Sequence, residues 1–232
     1  MSGITRIQKG REDSKRPDVT YTPGKEIWFR DGDQVFLSSV ATGAENDKYL
    51  EELYLYTFRA GNKFINLLKD ERVDTTIVPD DVRASHKFAV WAYVHEIIHL
   101  EKRNDDWIEI EGPAGKKMYK EEINYFRIIA LTFGRSDYIW NQLVDVYNDW
   151  GALDKGVIRI KRTGSGMYET SYSITATPKN EEIPEDRKNE IIELPALNDY
   201  FYERYGNSAD AAMDIAKSAA TVDAQEQETP LF

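Results

Sequence analysis

The chain has 232 residues, 41% of them hydrophobic and 12% aromatic, which is enough to pack one sizeable domain and excludes global disorder. It has no cysteine, which excludes disulfides, thiolate nucleophiles and any Cys-based zinc site, and suits a reducing compartment. The net charge of −11 excludes a uniformly basic surface, but residues 180–232 carry −9 of it and leave only −2 for residues 1–179.

In chain order, residues 1–24 are polar and basic, with five cations against two anions in residues 1–17, and read as a flexible arm. Such an arm is either an inert leader or a segment that touches phosphates. Its start, MSGITRIQKGREDSKRPD, lacks the apolar core of a secretory signal, and no run approaches the roughly 20 apolar residues that span a bilayer. A soluble, cytoplasmic chain without a membrane partner is expected. Ile27-Trp28-Phe29 and Gln34 to Val40 read as two short strands around the turn Arg30-Asp31-Gly32-Asp33. Leu50 to Phe58 and Gly61 to Leu68 fit strand or helix equally.

Lys87 to Leu100, KFAVWAYVHEIIHL, is the longest apolar run and alternates like a strand. Phe88, Val90, Ala92 and Val94 share one face, with Trp91, Tyr93 and His95 on the other. Trp107 to Ile110 reads as a short returning strand, and Ile123 to Thr132 as another. On that strand Phe126, Ile128 and Ala130 are expected inward, with Tyr125 and Arg127 outward.

Ser136 is a plausible N-cap of a helix whose Ile139, Leu143, Val146, Tyr147 and Trp150 fall at helical spacing, ended by Gly151. In the next strand, Val157 to Arg162, Ile158 and Ile160 are expected to face a core, and Arg159 and Lys161 to face outward. The turn Thr163-Gly164-Ser165-Gly166 leads to a return strand, Tyr168 to Ala176. Strand, strand, strand, helix, strand, strand, after one or two earlier strands, predicts a mainly β fold. An oligonucleotide/oligosaccharide-binding (OB) type antiparallel barrel with one inserted helix fits that order. Beyond Pro178 the composition turns acidic, with a short helix over Leu197 to Tyr205, an Ala-rich stretch and a polar end closed by Pro230-Leu231-Phe232. The expected division is an arm over 1–24, a domain over 25–178 and a disordered or part-helical acidic segment over 179–232.

Three constellations bear on chemistry. His95-Glu96-Ile97-Ile98-His99 matches the zinc-peptidase signature, with Glu96 as base and Glu121 or Glu122 as candidate third ligand. That chemistry needs a helix; on a strand the two His lie about 13 Å apart along the chain, too far to share a metal. The second is a set of aromatic and basic residues on outward strand faces: Trp91, Tyr93, Tyr125, Arg127, Arg159, Lys161, Tyr168 and Tyr172. Bases stack on rings at about 1–3 kcal/mol each while cations follow phosphates; the competing role for the same rings is core packing. The third is the acidic chain end, which could dock its terminal Phe232 and carboxylate on a partner. It could equally occupy the protein's own cationic surface until a polyanion displaces it.

The segment Asp149-Trp150-Gly151-Ala152-Leu153, followed by Ile158-Arg159-Ile160-Lys161-Arg162-Thr163-Gly164-Ser165-Gly166 and then Thr170 and Tyr172, resembles the single-stranded-DNA-binding proteins of tailed bacteriophages. The resemblance is clearest over residues 86–178. The ending Pro230-Leu231-Phe232 is similar in kind to the acidic, Phe-ending tips of such proteins, with fewer acids directly before the Phe. The resemblance implies a non-enzymatic OB-type barrel, without cofactor or metal, that coats single-stranded DNA in phage replication or recombination. It also implies a tail that recruits replication or recombination proteins through Pro230, Leu231 and Phe232. The motif puts Arg159, Lys161, Arg162, Tyr168 and Tyr172 on the DNA surface; Trp91, Tyr93, Tyr125 and Arg127 join them through strand alternation alone. Self-association is compatible with this reading. The zinc module of some of these phage proteins does not carry over to a chain without Cys.

Overall fold

A computed structural model describes residues 26–27, 29–45, 47–60, 63–132, 138–164, 170–178 and 181–206. Among these the chain is mainly β, and one strand organises the rest. Strand β5 (Ser85–His99) is the alternating apolar run, and β7 (Lys117–Thr132) pairs antiparallel along one whole edge of it. Its other edge is shared. Strand β3 (Leu50–Ala60) takes the first stretch, Ser85 to Val90, and β2 (Gln34–Ser39) takes Ala92 to Ile98. Both ambiguous segments are therefore strands: β4 (Lys63–Leu68) closes a hairpin with β3. β6 (Ile108–Glu111) folds back on the start of β7. Strands β8 (Val157–Thr163) and β9 (Ser171–Ala176) continue outward from β2. β1 (Glu26–Ile27) lies parallel to β7 on its far edge, so the path runs β1-β7-β5-β2-β8-β9 in one mixed sheet.

Because β5 is apolar on both faces, it serves two cores. Phe88, Val90, Ala92, Val94 and Ile97 join Val35, Leu37, Ile129, Leu131, Ile158, Ile160 and Ile174 in one cluster. Helix α1 (Tyr138–Trp150) adds Ile139, Leu143 and Val146 to it, as the helical spacing predicts. Gly151 ends the helix at φ 76° with its N–H on the Tyr147 carbonyl at 2.7 Å, a left-handed C-terminal geometry that glycine adopts without strain. Tyr147 is on the helix surface instead of in the apolar stripe, packed over Gly43. The proposed N-cap Ser136 lies outside the described residues. The other face of β5, Ala89, Trp91 and Tyr93, packs with Phe126, Ile128 and the inner side of the β3–β4 hairpin in a second cluster.

The sheet does not close into the barrel expected from the strand count. Among the described residues β9 pairs only with β8, and β7 is met on its outer edge by the parallel β1. Part of each edge of the gap is paired by other means, that of β7 by β1 at Ile128 and Ile129. The Gln142 side chain of α1 acts as a substitute strand for β9: its Nε2 donates to the Tyr172 carbonyl at 3.2 Å and its Oε1 accepts from the Ile174 N–H at 2.7 Å. A strand edge whose backbone groups are paired has no drive to find another strand.

The first half of the segment expected as an acidic tail is part of this body. A short helix α2 (Glu185–Lys188), a 3₁₀ turn (Asn189–Glu193) and helix α3 (Leu197–Tyr205) lie over the second cluster. Leu197 and Phe201 are buried in it. Hydrogen bonds tie the crossing strap down: Trp91 Nε1 donates to the Pro195 carbonyl at 3.0 Å and Tyr49 Oη to the Ile191 carbonyl at 2.8 Å. At its far end Arg204 meets Glu26 at 2.9 Å, joining α3 to β1. No helix among the described residues is long and apolar enough to cross a membrane.

Candidate nucleic-acid interface

The outward side of β2, β8 and β9 carries the cations that the alternation of β8 predicts. Ile158 and Ile160 are buried, and Arg159 and Lys161 point the other way. Ladder register arranges them in two rows, Phe36–Arg159–Thr175 and Gln34–Lys161–Ser173. Neither cation forms an ion pair or a hydrogen bond with any described residue. Arg159 Nε and Thr175 Oγ1, opposite one another across β8–β9, are both shielded from solvent without a hydrogen-bond partner among the described residues. Two adjacent buried polar atoms left unsatisfied are costly, about 1–3 kcal/mol each, and an incoming anion would relieve both.

Arg162 and Tyr172 do not belong to that surface. They share the inner parity of Ile158, Ile160 and Ile174, so they sit at the mouth of the first core. Arg162 donates through Nη1 to the Phe29 carbonyl and through Nη2 to Thr170 Oγ1 at 3.2 Å. Its backbone exchanges bonds with Gly32 and Asp33, so it clamps the loop before β2 onto β8. The Tyr172 ring meets Phe29 edge-on at 5.8 Å, and burial raises the Tyr172 hydroxyl pKa, opposed by the Arg162 charge. Tyr168 lies outside the described residues.

The aromatic face of β5 and β7 also departs from the expectation. Trp91 is 1% exposed and Tyr93 3%, because α3 and the strap cover them. Tyr93 meets Phe126 edge-on at 5.3 Å, and Trp91 meets Tyr200 of α3 at 6.1 Å. Phe126 and Ile128 are inward as expected, toward this second cluster. Tyr125 remains open, 46% exposed, but Arg127 stands over its ring at 4.9 Å and Arg187 of α2 at 5.4 Å. Burial lowers the Arg127 pKa, opposed by Tyr125 and Glu121, and its Nη1 donates to the Phe126 carbonyl, so Arg127 is a half-buried packing residue.

His95 and His99 lie on β5, a strand, so the helical turn that the zinc signature requires is not formed. A bulge separates their surroundings: both ladders skip His95, and Asn124 opposite adopts φ 47°. His95 Nε2 pairs with Ser38 Oγ at 2.9 Å, and the Ser38 hydroxyl also reaches the Glu181 carbonyl at 3.2 Å, which anchors the strap to β2 and β5. His99 has Nδ1 3.0 Å from Asp33 and Nε2 3.1 Å from Glu121, and stacks on Trp107 at 3.9 Å. Among the described residues Glu121 thus pairs with His99 and not with His95, and Glu122 pairs with Lys120 at 2.7 Å.

Two members of the open face were missed by sequence reasoning. Phe36 and Thr175 flank Arg159 in the ladder, and the signal was the register between β2, β8 and β9, which spacing within one strand does not contain. Compared with known proteins, the chain matches no family model and no curated protein.

Proposed function

We propose that this chain is a non-enzymatic single-stranded-DNA-binding protein that coats the strand in phage replication or recombination. The observation that carries the reading is the outward β2–β8–β9 face, where, among the described residues, Arg159 and Lys161 have no carboxylate partner and the Thr175 hydroxyl no hydrogen-bond partner. Cations following phosphates suit a strand bound without sequence preference. The OB assignment is supported by connectivity. β2, β5 and β7 come first, then α1, then β8 and β9, in the spatial order β7-β5-β2-β8-β9. That order, open at the β7–β9 seam, suits a partly open Greek-key barrel. The proposal assigns Arg159 and Lys161 to phosphates and Pro230, Leu231 and Phe232, outside the described residues, to partner recruitment.

Titration of the full chain with oligo(dT), followed by Trp fluorescence, tests the reading. Tight binding whose log affinity falls linearly with log salt is expected. Absence of any binding at low salt would overturn it.

A further inference from the structure

The β3–β4 hairpin does more than cover the second core. Strand β3 leaves β5 at Leu55, which faces Ser85, the first residue of β5. From Tyr56 to Ala60, β3 pairs only with β4 among the described residues, so the hairpin's outer half runs about 17 Å past the end of β5. On one side of this extension Phe58 and Ile65, a direct register pair, are buried. The next register pair, Arg59 and Phe64, points to the opposite side, and Phe64 is 76% exposed. The Arg59 guanidinium stands 6.0 Å from the centre of the Phe64 ring, within cation–π reach. One row back, Thr57 Oγ1 donates to Asn66 Oδ1 at 2.7 Å and fixes the backbone beneath them. A core-anchored hairpin thus holds one bare ring and one guanidinium away from the body.

Charge selects the occupant. Residues 53–69 hold three cations, Arg59, Lys63 and Lys69, and no anion, in a chain whose net charge is −11. A bare ring beside cations matches a ligand that alternates flat aromatic faces with negative charges.

We infer that the β3–β4 hairpin is a second contact for single-stranded DNA, with a base stacked on Phe64 and the adjoining phosphate held by Arg59. This inference rests on the single-stranded-DNA reading above and adds a site remote in the ladder from Arg159 and Lys161. The strand then passes from the β2–β8–β9 face onto the hairpin.

The test uses the full chain with an oligo(dT) of about 16 nucleotides, the upper end of the site size of one OB domain, monitored by fluorescence anisotropy. Phe64→Ala should weaken binding about 5- to 150-fold, the range for one stacked base, and Phe64→Tyr, which keeps the ring, should bind as the original chain does. Arg59→Ala should reduce the slope of log affinity against log salt by about 0.7, one phosphate contact. Circular dichroism should show both alanine variants folded, since neither side chain supports the core. If the original chain binds and Phe64→Ala binds equally well, the hairpin inference alone is overturned. A Phe64→Ala chain that binds DNA unchanged but loses self-association overturns it too, assigning the ring to a second copy. Failure of the original chain to bind any oligo(dT) overturns the parent reading and this one together.

Discussion

The outward side of this sheet has two halves with opposite fates, one built on β5, apolar on both sides, the other on β8, apolar on one. Over β5 and β7, the residues opposite the first core are Trp91, Tyr93, Phe126 and Ile128, and they lie beneath α3 and the strap. Over β2, β8 and β9, the corresponding residues include Arg159, Lys161, Ser173 and Thr175; the strap reaches this side at Ser38, and Lys161 is exposed while Arg159 Nε and Thr175 Oγ1 are shielded from solvent. An alternating strand specifies that it has two sides; what meets each side is decided elsewhere. A large aromatic ring buries as well under the chain's own Leu197 and Phe201 as under a base. A guanidinium is not covered by apolar side chains without losing solvation worth several kcal/mol. The polar half therefore resists the apolar cover that the aromatic half accepts.

The contrast is broken most severely by removing the cover. A chain ending at Pro178 should lose the burial of Leu197 and Phe201, about 3–6 kcal/mol, and chemical denaturation should find it unfolded or close to unfolding. A chain ending at Gly206 keeps both and should unfold like the full chain. Within the full chain, Phe201→Ala should cost about 3–5 kcal/mol with DNA affinity little changed where the protein is still folded.

Of intermediate size is the complementary experiment on the open half. Arg159→Ala with Lys161→Ala should leave stability within about 1 kcal/mol and reduce the salt slope of DNA binding by about 1.4, two phosphate contacts. A double variant with the original slope would place the binding surface elsewhere on the molecule.

The smallest effect concerns the joint between the covered half and β1. Burial raises the Glu26 carboxyl above its ordinary range, against the opposing influence of Arg204, Lys87, Tyr205 and Tyr200. A raised carboxyl holds its proton more tightly folded than unfolded. Its contribution to stability is therefore greatest below the ordinary carboxylate range, falls as pH rises to the raised folded value, and is level above that. Glu26→Gln, which cannot ionise, should remove this slope, so denaturation curves of the two chains between about pH 4 and pH 7 should converge or diverge with pH. A constant difference across that interval would show that Glu26 does not titrate in it.

What the sequence made legible follows the same division. The inward Ile158 and Ile160 and outward Arg159 and Lys161 were readable because β8 is apolar on one side only. The helix over Leu197 to Tyr205 was readable from its own composition. Trp91 and Tyr93 were not, because KFAVWAYVHEIIHL is apolar on both sides and its cover is supplied by residues around position 200. Arg162 was put on the DNA surface by the motif resemblance, whereas the parity of its own strand carries it inward with Ile158 and Ile160. The open seam was invisible for a similar reason. It depends on Gln142, a polar residue in a helix, pairing with the backbone of β9.

The sharing of one edge of β5 between β3 and β2 has a further consequence for how the molecule assembles. The β3–β4 and β5–β7 pairings join near neighbours in the chain, whereas β2 must wait for β5 and then for β8, pairing Gln34 with Ile98 and with Lys161. Closing such long loops costs chain entropy before any contact repays it, so these ladders form late. By that measure the local β3–β4, β5–β7 and β8–β9 ladders precede those that β2 makes. Pulse-labelled hydrogen exchange should protect β5 and β7 amides before those of β2, and simultaneous protection would refute that order. A partly folded chain then holds much of its apolar core but none of the completed face that Arg159 and Lys161 share with β2, which ties any polyanion binding there to the last step of folding.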